Sequence, residues 1–580
     1  MNVSFNDLNE KQKEAVLAWK GPSIILAGAG SGKTRVLVVK VMELVKKYTV
    51  PSSSILMITF TNKAASEMKS RIGAYKLGFV GTFHSFCARL LRIDYEEAGL
   101  KKNFVIFDED DQLALVKSIL KNLDTGKKYT PSYLLNRISA AKNILVTPTR
   151  YLELFSDHSA RDTAIIYARY EKELKENNAL DFDDLIMKTV SLFNKNKSIL
   201  EKYQSKFKYI LVDEFQDTNL AQYQLTRLLG QKFGNVTVVG DFSQSIYSWR
   251  GAEITNLDKF QKDFPNSKIF NLEQNYRSTQ RILDFAYSVI SKNTTHPVLQ
   301  LFTKNKDGEE VTLFEAENEE EEAFYIAEMI DSFRASYRLE EIALLYRMNA
   351  QSRAIEEVFL HRGIPYTLIG GVRFYERKEI KDILSLLRLV VNPTEKVANE
   401  RIQKLGKRRW LDFKKYYEEN KGEVEKQDTG KIIEEVLAAT GYMKLYDPEL
   451  EEDYSRIENI KELKSVAVSY PLLTEFLEQV ALVESEYSAG EKTGKKDGVR
   501  LMTLHQAKGL EFKAVFVVGV EEGILPHSRS IDDLYSLEEE RRLFYVGATR
   551  AQEKLYITWA RRRFLHGRRG ESIRSRFLDD

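Results

Sequence analysis

A glycine-rich segment constrains the fold of this chain more than any other feature of the sequence. It reads Ala27-Gly28-Ala29-Gly30-Ser31-Gly32-Lys33-Thr34, follows a short apolar run and precedes a helical pattern. Glycines let backbone N–H groups close around phosphate oxygens, and the helix N-terminus adds the positive end of its dipole. The segment, although it begins with Ala where the strict pattern has Gly, is therefore typical of a phosphate-binding loop. Lys33 is expected to contact the β- and γ-phosphates, and Thr34 to hold Mg²⁺.

Short apolar runs rich in Ile and Val recur along the chain and predict strands that are buried on both faces. They are Ser23–Leu26, Ile55–Phe60, Tyr209–Val212, Val236–Val239, Ile342–Tyr346, Ala514–Val520 and Lys554–Thr558. Helical patterns lie between the runs, and this alternation indicates an α/β fold with parallel sheets. Two stretches, about 95–190 and about 393–497, are helical and charged, and we interpret each as a helical insertion.

The bulk composition limits the compartment more than the function. The 87 basic and 85 acidic residues leave a net charge of +2, so any nucleic-acid path depends on local placement of charge. The single cysteine, Cys87, cannot form an internal disulfide and fits a reducing cytoplasm. The N-terminus lacks a signal-peptide pattern, and no apolar run approaches the ~20 residues of a membrane span. We therefore expect a cytoplasmic protein without a membrane partner.

Two carboxylates and several amides and arginines are candidates for phosphate chemistry. Asp213 and Glu214 follow a predicted strand, where the first can bind Mg²⁺ and the second can orient and deprotonate a water. Such a pair is often only a helix cap, so its significance depends on the phosphate-binding loop. Gln244 can touch a γ-phosphate, and Arg277 and Arg550 are candidate arginine fingers.

An aromatic segment suggests contact with unpaired bases. Tyr247, Trp249 and Arg250 place aromatic rings beside a cation, and stacking on a base contributes ~1–3 kcal/mol. The spacing is equally compatible with Trp249 in a core. The basic run Arg561–Arg576 could contact phosphates, although a solvated face is the more common role of such a cluster.

The motifs, taken in order, resemble those of the UvrD/PcrA/Rep family of superfamily 1 DNA helicases over nearly the whole chain. The matching segments are Leu8–Gln12, the phosphate-binding loop, Thr59–Ala65, Gly81–Phe86, Leu180–Leu185, Asp213–Thr218, Gln244–Ala252, Asn275–Thr279, Leu504–Phe512 and Val546–Ala551. The resemblance implies two RecA-like P-loop NTPase domains with parallel sheets, each carrying a mainly helical insertion subdomain. It divides the chain into a first motor domain (1–94 and 191–273), its insertion (95–190), a second motor domain (274–392 and 498–580) and a shortened insertion (393–497).

The resemblance also assigns residue roles. Gln12 would read adenine, Tyr276 would stack on the base and Glu511 would contact ribose, while Arg277 and Arg550 would be the fingers. The implied nucleotide-binding set comprises Gln12, Ala27, Gly28, Ala29, Gly30, Ser31, Gly32, Lys33, Thr34, Arg35, Tyr276 and Glu511. The implied DNA path comprises Phe60, Asn62, Thr82, His84, Tyr247, Trp249, Arg250 and His505.

The implied activity is 3′-to-5′ translocation on single-stranded DNA, driven by Mg-ATP hydrolysis in a cleft between the motor domains. Single strands and single-strand/duplex junctions are the implied partners. The sequence departs from the family at Gln403–Trp410, where a Gly-Ile-Gly hairpin that contacts duplex is usual. We interpret the second insertion as shorter than is usual in the family, and we expect the family's C-terminal tail to be absent after the second motor domain.

Two alternatives stay open, and the departures favour the first of them. The first is a translocase that strips proteins from single strands and unwinds poorly. The second is an ATP-gated DNA-binding protein with little turnover, against which the complete set of catalytic candidates argues.

Overall fold

The structure is a computed structural model, and it forms two compact units. It describes residues 4–73, 75–123, 129–422, 427–491, 498–565 and 568–579. The first unit comprises Met1–Arg277 and Thr294–Lys304, and the second comprises Ser278–Asn293 and Asn305–Asp580. Each unit contains one six-stranded sheet in which all neighbouring strands are parallel. The prediction of parallel α/β sheets is therefore confirmed.

The first unit contains ten strands and twelve α-helices among its described residues. The strands are β1 (Ser23–Ala27), β2 (Ile55–Thr59), β3 (Phe79–Thr82), β4 (Val105–Ile106), β5 (Ala179–Leu180), β6 (Tyr209–Val212), β7 (Val236–Gly240), β8 (Lys268–Leu272), β9 (Gln274–Asn275) and β10 (Phe302–Thr303). The helices are α1 (Glu10–Leu17), α2 (Lys33–Lys46), α3 (Asn62–Ile72), α4 (Phe83–Ile93), α5 (Glu109–Lys121), α6 (Pro131–Asn143), α7 (Tyr151–Leu154), α8 (Ala160–Glu176), α9 (Phe182–Lys195), α10 (Lys197–Lys206), α11 (Leu220–Gly230) and α12 (Asn256–Asp263). The large sheet has the order β3-β2-β6-β7-β1-β8.

Helices cover both faces of this sheet. Along β1, Ile24 and Leu26 belong to one apolar core, whereas Ile25 and Ala27 belong to another on the opposite face. Successive side chains of a strand point to opposite faces, so a strand buried on both faces must be apolar throughout. This is why β1 was recognisable as a continuous apolar run.

Helices α5 to α9 lie in the first of the two predicted helical stretches, and α5, α6 and α8 contribute to a core of their own. At the base of this core, the buried ammonium of Lys142 contacts the carboxylates of Glu171 (2.5 Å), Asp181 (2.7 Å) and Asp184 (3.0 Å). These three carboxylates come from α8, from the residue before α9 and from α9 itself. The helical character of this stretch is confirmed, while its boundaries as a subdomain stay a prediction.

The second unit contains eight strands and ten α-helices among its described residues. The strands are β11 (Thr312–Ala316), β12 (Ile342–Tyr346), β13 (Tyr366–Leu368), β14 (Val499–Thr503), β15 (Phe512–Val517), β16 (Ala551–Ala560), β17 (Arg562–Leu565) and β18 (Arg568–Glu571). The helices are α13 (Gln280–Ile290), α14 (Glu319–Phe333), α15 (Ser352–His361), α16 (Lys378–Val391), α17 (Lys396–Lys404), α18 (Lys407–Asn420), α19 (Thr429–Thr440), α20 (Glu451–Val468), α21 (Leu473–Glu491) and α22 (Leu534–Ala548). The sheet has the order β11-β16-β15-β12-β14-β13, and β17 pairs with β18 as an antiparallel hairpin.

The second helical stretch is also confirmed as helical. Helices α16 to α21 enclose a separate apolar core, and α20 is joined to the α/β part of this unit by buried polar contacts. Arg353 on α15 contacts Glu462 (2.6 Å), and Arg377 donates to Asn459 Oδ1 (2.7 Å). Among the described residues, no helix combines the length and the apolar character that a membrane crossing requires.

Candidate nucleotide and nucleic-acid sites

The glycine-rich segment forms a tight turn between β1 and α2. Gly30 and Gly32 have φ angles of +64° and +81°, which residues with a Cβ rarely adopt. A Cβ on Gly30 would also lie 2.7 Å from Asn275 Nδ2 and 2.8 Å from Arg277 Cβ. The N-cap of α2 is Gly32, which offers no side-chain acceptor to the first-turn N–H groups. An anion is therefore the natural acceptor for these groups.

Hydrogen bonds from within the turn and from outside it hold the carbonyl oxygens of the turn. The bonds run from Ser31 Oγ to Gly28 O (2.8 Å), from Gln12 Nε2 to Ser31 O (2.8 Å), from Asn275 Nδ2 to Ala29 O (2.7 Å) and from the Tyr276 amide to Gly30 O (3.0 Å). Gln12 and Tyr276 thus lie at the loop, and their contacts with a nucleotide stay a prediction. Asn275 is a supporting residue that the sequence analysis did not single out.

Asn9 is a second residue that the sequence analysis missed. Its Oδ1 accepts from the Gln12 amide (2.8 Å) and caps α1, while its Nδ2 donates to the Tyr276 hydroxyl (2.9 Å). The Asn-x-x-Gln spacing is a recognisable helix cap and was the available signal. Its second contact lies more than 260 residues away in the chain and has no sequence signature.

The two carboxylates after β6 lie beside the lysine of the loop. Lys33 Nζ is 3.8 Å from Glu214 Oε2. Asp213 is buried, and its amide donates to Ile58 O (2.9 Å). Burial first, and then repulsion by Glu214, raises the pKa of Asp213 to about 7, although the Lys33 ammonium opposes the shift. An additional positive charge near Asp213 would therefore stabilise its ionised form.

The residues present fit Mg²⁺ bound together with a nucleotide. Asp213 Oδ1 is buried and accepts no hydrogen bond from any described residue. Burial of such an oxygen costs free energy unless a cation or a hydrogen-bond donor lies next to it. Thr34, the second residue of α2, supplies a partly buried hydroxyl. Within the described ranges, no group of three His, Cys, Asp or Glu side chains could hold a metal alone. Mg²⁺ usually combines one or two protein carboxylates with substrate phosphates and water, and Asp213 and Thr34 are the residues that would hold it.

An amide network joins Glu214 to the loop after β7. Glu214 has a φ of +50°, a conformation that costs a non-glycine residue ~1 kcal/mol or more. Gln216 Nε2 donates to Glu214 Oε2 (2.6 Å), and Gln216 Oε1 accepts from the Asp241 amide (3.1 Å). The Asp241 carboxylate in turn accepts from Gln244 Nε2 (2.6 Å). The structure thus connects Glu214 with Gln244 through Gln216 and Asp241, to which the sequence analysis gave no role.

Aromatic rings form a surface after β2 and β7. The rings of Phe60 and Tyr247 are parallel, with centroids 6.1 Å apart, and the Trp249 ring meets Tyr247 edge-on at 6.5 Å. The Arg250 guanidinium lies 4.5 Å from the centroid of the Trp249 ring. Trp249 is 47% exposed, so the alternative that placed it in a core is wrong. Base stacking on this surface stays a prediction.

Other predicted DNA-path residues of the first unit lie at helix starts. Asn62 is the exposed first residue of α3, and Thr82 caps α4 by accepting from the Ser85 amide (3.2 Å). The His84 ring packs edge-on against Phe182, an exposed aromatic residue, with centroids 5.9 Å apart. Burial lowers the pKa of His84, so its ring is neutral at pH 7. Phe182 was not predicted as a site residue.

The predicted site residues of the second unit lie near the ends of its strands. Arg550 is only 2% exposed. Its guanidinium nitrogens donate to oxygens of Val546 (2.9 Å), Leu510 (3.2 Å) and Thr549 (3.1 Å). These bonds fix its orientation. Glu511 is exposed and accepts from Gln552 Nε2 (3.1 Å), and His505 is partly buried in the turn after β14.

The basic run Arg561–Arg576 is engaged in ion pairs where the structure describes its side chains. Arg561 contacts Glu315 (2.6 Å) and Glu317 (2.9 Å). Buried Arg563 lies between Glu322 and Glu521, and Arg576 contacts Glu522 (2.8 Å). Buried Arg563 therefore has a structural role, whereas Arg561 is exposed and Arg576 is partly exposed, and both agree with a solvated face. Contact of this run with phosphates stays a prediction.

The first unit has the features of a P-loop NTPase of the RecA-like class. A glycine turn before a helix, a lysine and a strand-end carboxylate pair lie on a parallel sheet covered by helices on both faces. Comparison with known families makes the class specific. Residues 8–265 match the UvrD/REP helicase N-terminal domain, and residues 270–420 and 409–562 match the UvrD-like helicase C-terminal domain. The chain belongs to the UvrD-like helicase family.

Curated relatives support the same membership. The chain is 42% identical over 637 residues to a protein named ATP-dependent DNA helicase PcrA from Staphylococcus aureus (strain NCTC 8325 / PS 47), covering 100% of this chain and 87% of the relative. It is 42% identical over 636 residues to the protein of the same name from Bacillus subtilis (strain 168), covering 100% of this chain and 86% of the relative. Both matched lengths exceed the 580 residues of this chain, so the relatives carry additional residues within the matched span.

Proposed function

We propose that this chain is an ATP-dependent DNA helicase that uses Mg-ATP hydrolysis to move 3′-to-5′ along single-stranded DNA in the cytoplasm. One observation carries the proposal. The phosphate-binding loop, Asp213, Asp241 and Phe60 follow the carboxyl ends of β1, β6, β7 and β2, which are adjacent strands of one parallel sheet. Ligand sites of open α/β sheets form at this edge. The nucleotide residues and the aromatic surface therefore share one rigid support.

The residues of the first unit support hydrolysis of the γ-phosphate. We assign Glu214 as the base that takes a proton from water while the water oxygen bonds to the γ-phosphorus. The bond from that phosphorus to the bridging oxygen breaks, which releases ADP and phosphate. The Lys33 ammonium stabilises charge on the phosphate oxygens. Mg²⁺, held by Thr34 and Asp213, would neutralise further phosphate charge.

The remaining assignments follow the family motifs. Gln12, Tyr276 and Glu511 contact the nucleoside, Arg35 belongs to the nucleotide-binding set, and Gln244 senses the γ-phosphate. Arg277 and Arg550 act as arginine fingers, which can contribute ~10³–10⁵ in rate. The hydrogen bonds that orient Arg550 support its assignment, because a preorganised cation stabilises developing charge without reorganisation.

The rings of the aromatic surface are the proposed binding site for a strand of unpaired bases. Phe60, Tyr247 and Trp249 offer ring faces, which accept any base, so we expect little sequence preference. The other members of the proposed DNA path are Asn62, Thr82, His84, Arg250 and His505. Cations near a phosphate backbone should make binding salt-dependent.

Steady-state ATP hydrolysis with and without a single-stranded oligonucleotide, at low and high salt, tests the proposal. We expect strong stimulation that decreases as salt rises. Lys33→Ala should abolish turnover while the circular dichroism spectrum is unchanged, and Lys46→Ala, an exposed lysine on the same helix, is the matched control. Turnover that DNA does not stimulate would instead support an ATP-gated binding protein.

A second candidate, a translocase with weak unwinding, is favoured by one observation. In the stretch 403–410, α17 ends at Lys404 and α18 begins at Lys407, with only Leu405 and Gly406 between them. This turn is too short to project a hairpin. Displacement of the strand from a 3′-tailed duplex separates the candidates, because a weak unwinder hydrolyses ATP on the tail without releasing the strand.

A further inference from the structure

Gln216 occupies a special place in the turn after β6. It is completely buried, and its side chain lies between the proposed catalytic base and the loop that follows β7. Its Nε2 donates to Glu214 Oε2 (2.6 Å) and is 3.3 Å from Asp217 Oδ2. Its Oε1 accepts from the Asp241 amide (3.1 Å). One side chain thus connects the carboxyl ends of two neighbouring strands.

The partners determine the orientation of this amide. The nitrogen faces two carboxylates and the oxygen faces an N–H donor, so the reversed orientation would lose every contact. A glutamate here could accept from Asp241 but would repel Glu214, and a leucine could do neither. The Gln216 side chain also packs closely against the backbone at the end of β7, because a Cβ on Gly240 would lie 2.5 Å from Gln216 Oε1.

The connection continues to the predicted γ-phosphate contact. The Asp241 carboxylate accepts from Gln244 Nε2 (2.6 Å) and from the Ser243 amide (3.1 Å). The Ser245 hydroxyl then donates back to Gln216 O (3.1 Å). Hydrogen bonds through Gln216 and Asp241 therefore join Glu214 to Gln244.

We propose that Gln216 is a positioning residue that holds the Glu214 carboxylate toward the attacking water and couples its orientation to Gln244. The inference rests on the proposed function, in which Glu214 is the base. Glu214 sits in a strained backbone conformation, and its side chain would have more orientations without a fixed donor. Loss of the Gln216 amide should therefore slow the chemical step and leave nucleotide binding intact.

Steady-state kinetics of Gln216→Leu and Gln216→Glu, with single-stranded DNA saturating, test the proposal. Removal of a supporting hydrogen bond of this kind costs ~10–100-fold in activity. We expect such a decrease in kcat for both variants, with the KM for ATP within about 3-fold of wild type, since binding interactions that are unchanged leave KM unchanged. Affinity for a fluorescent nucleotide should also be unchanged.

Gln222→Leu is the matched control. Gln222 is a buried glutamine six residues away whose Oε1 accepts from the Asn219 amide (3.1 Å) at the start of α11. Its loss removes a buried amide without touching Glu214, so kcat should be nearly normal. If Gln216→Leu lowers kcat no more than this control does, the proposal is wrong.

Two other outcomes would also overturn the proposed role of Gln216. A rise in KM and in the nucleotide dissociation constant that matches the loss of kcat would overturn the proposal, because Gln216 would then support binding. Gln216→Glu keeps the size of the side chain and serves as the test if Gln216→Leu fails to fold. A normal kcat in Gln216→Glu would overturn the proposal as well. Failure of the proposed function is distinguishable, because wild-type turnover would then show no stimulation by DNA.

Discussion

Trp249 shows how a single residue decides between two interpretations. Its aromatic character and spacing allowed either a core position or a base-stacking role, and its exposure excludes the core. The adjacent Arg250 guanidinium lies over the ring, and Tyr247 supports the ring from its edge. An exposed tryptophan held in this way is preorganised for a planar ligand.

Trp249→Ala should weaken binding to a single-stranded oligonucleotide about 10-fold or more, because stacking on one base contributes ~1–3 kcal/mol. Fluorescence anisotropy at constant salt measures the dissociation constant. DNA stimulation of ATP hydrolysis should fall in parallel. Phe233→Ala is the control, since Phe233 is an exposed aromatic residue (41%) located before β7, at the opposite edge of the sheet. Equal effects of the two substitutions would show that Trp249 has no special role.

We expect His527 to make the stability of the second unit depend on pH. It is buried, its Nδ1 accepts from the Arg529 amide (3.2 Å), and its ring meets Tyr454 edge-on. Burial, and then the nearby charges of Arg347, Arg529 and Lys461, lower the pKa of His527 to about 3. The folded chain therefore binds fewer protons than the unfolded chain between pH 3 and the ordinary histidine pKa of about 6.5.

The sign follows from this difference. The contribution of His527 to the free energy of unfolding should have its full value above pH 6.5 and should decrease as pH falls toward 3, with a loss of about 2 kcal/mol at pH 5. His527→Gln should show a pH dependence smaller by about this amount. Urea titrations at pH 7.5 and pH 5, followed by hydrogen exchange of α22 and its neighbouring strands, measure the difference. Identical pH dependence in wild type and variant would contradict the prediction.

Helix α20 is the element that joins the second helical stretch to the α/β part of its unit. Four of its eight buried residues, Asp453, Glu458, Asn459 and Ser465, are polar, and the other four are apolar. Asn459 contacts Arg377 and Glu379 at the start of α16, so an amphipathic pattern could not reveal its role. The ion pair of Arg353 with Glu462 (2.6 Å) links α15 to α20.

Glu462→Ala should lower the free energy of unfolding by about 2–3 kcal/mol, because it removes one of the two carboxylates that neutralise the buried Arg353. Urea unfolding followed by circular dichroism measures the loss. Glu452→Ala, at an exposed position of the same helix, should change stability by less than about 0.5 kcal/mol. If both variants are equally stable, α20 is not held by this ion pair.

At the scale of elements, strand burial influenced which strands could be predicted. Every run predicted as a strand overlaps a strand of the structure, and the central strands β1, β7 and β12 are buried at each residue. The missed strands include β3, β11 and β13, which lie at sheet edges and are partly exposed, and the interior strand β14, whose apolar pattern Arg500 interrupts. An edge strand needs fewer apolar residues, so its sequence resembles that of a loop.

For the whole molecule, the proposed 3′-to-5′ direction of movement is the property that a strand-release assay tests. The net charge of +2 is small for 580 residues, so we expect DNA binding to depend on local cations and aromatic rings. We expect release of the strand from a 3′-tailed duplex and none from a 5′-tailed duplex, with ATP present. A gel assay that follows both substrates measures this polarity, and equal release from both would contradict 3′-to-5′ movement.

The sequence by itself determined the class of fold and the nucleotide loop. Glycine conformation, helix capping and burial on both faces act over a few residues, so their signals are local. Only the tertiary structure decided that Gln216 and Asp241 join Glu214 to Gln244 and that Asn275 holds the loop, because strand order brings these distant residues together. A hydrogen bond between residues far apart in the chain depends on the packing of every element between them. No spacing within a single segment can therefore encode it.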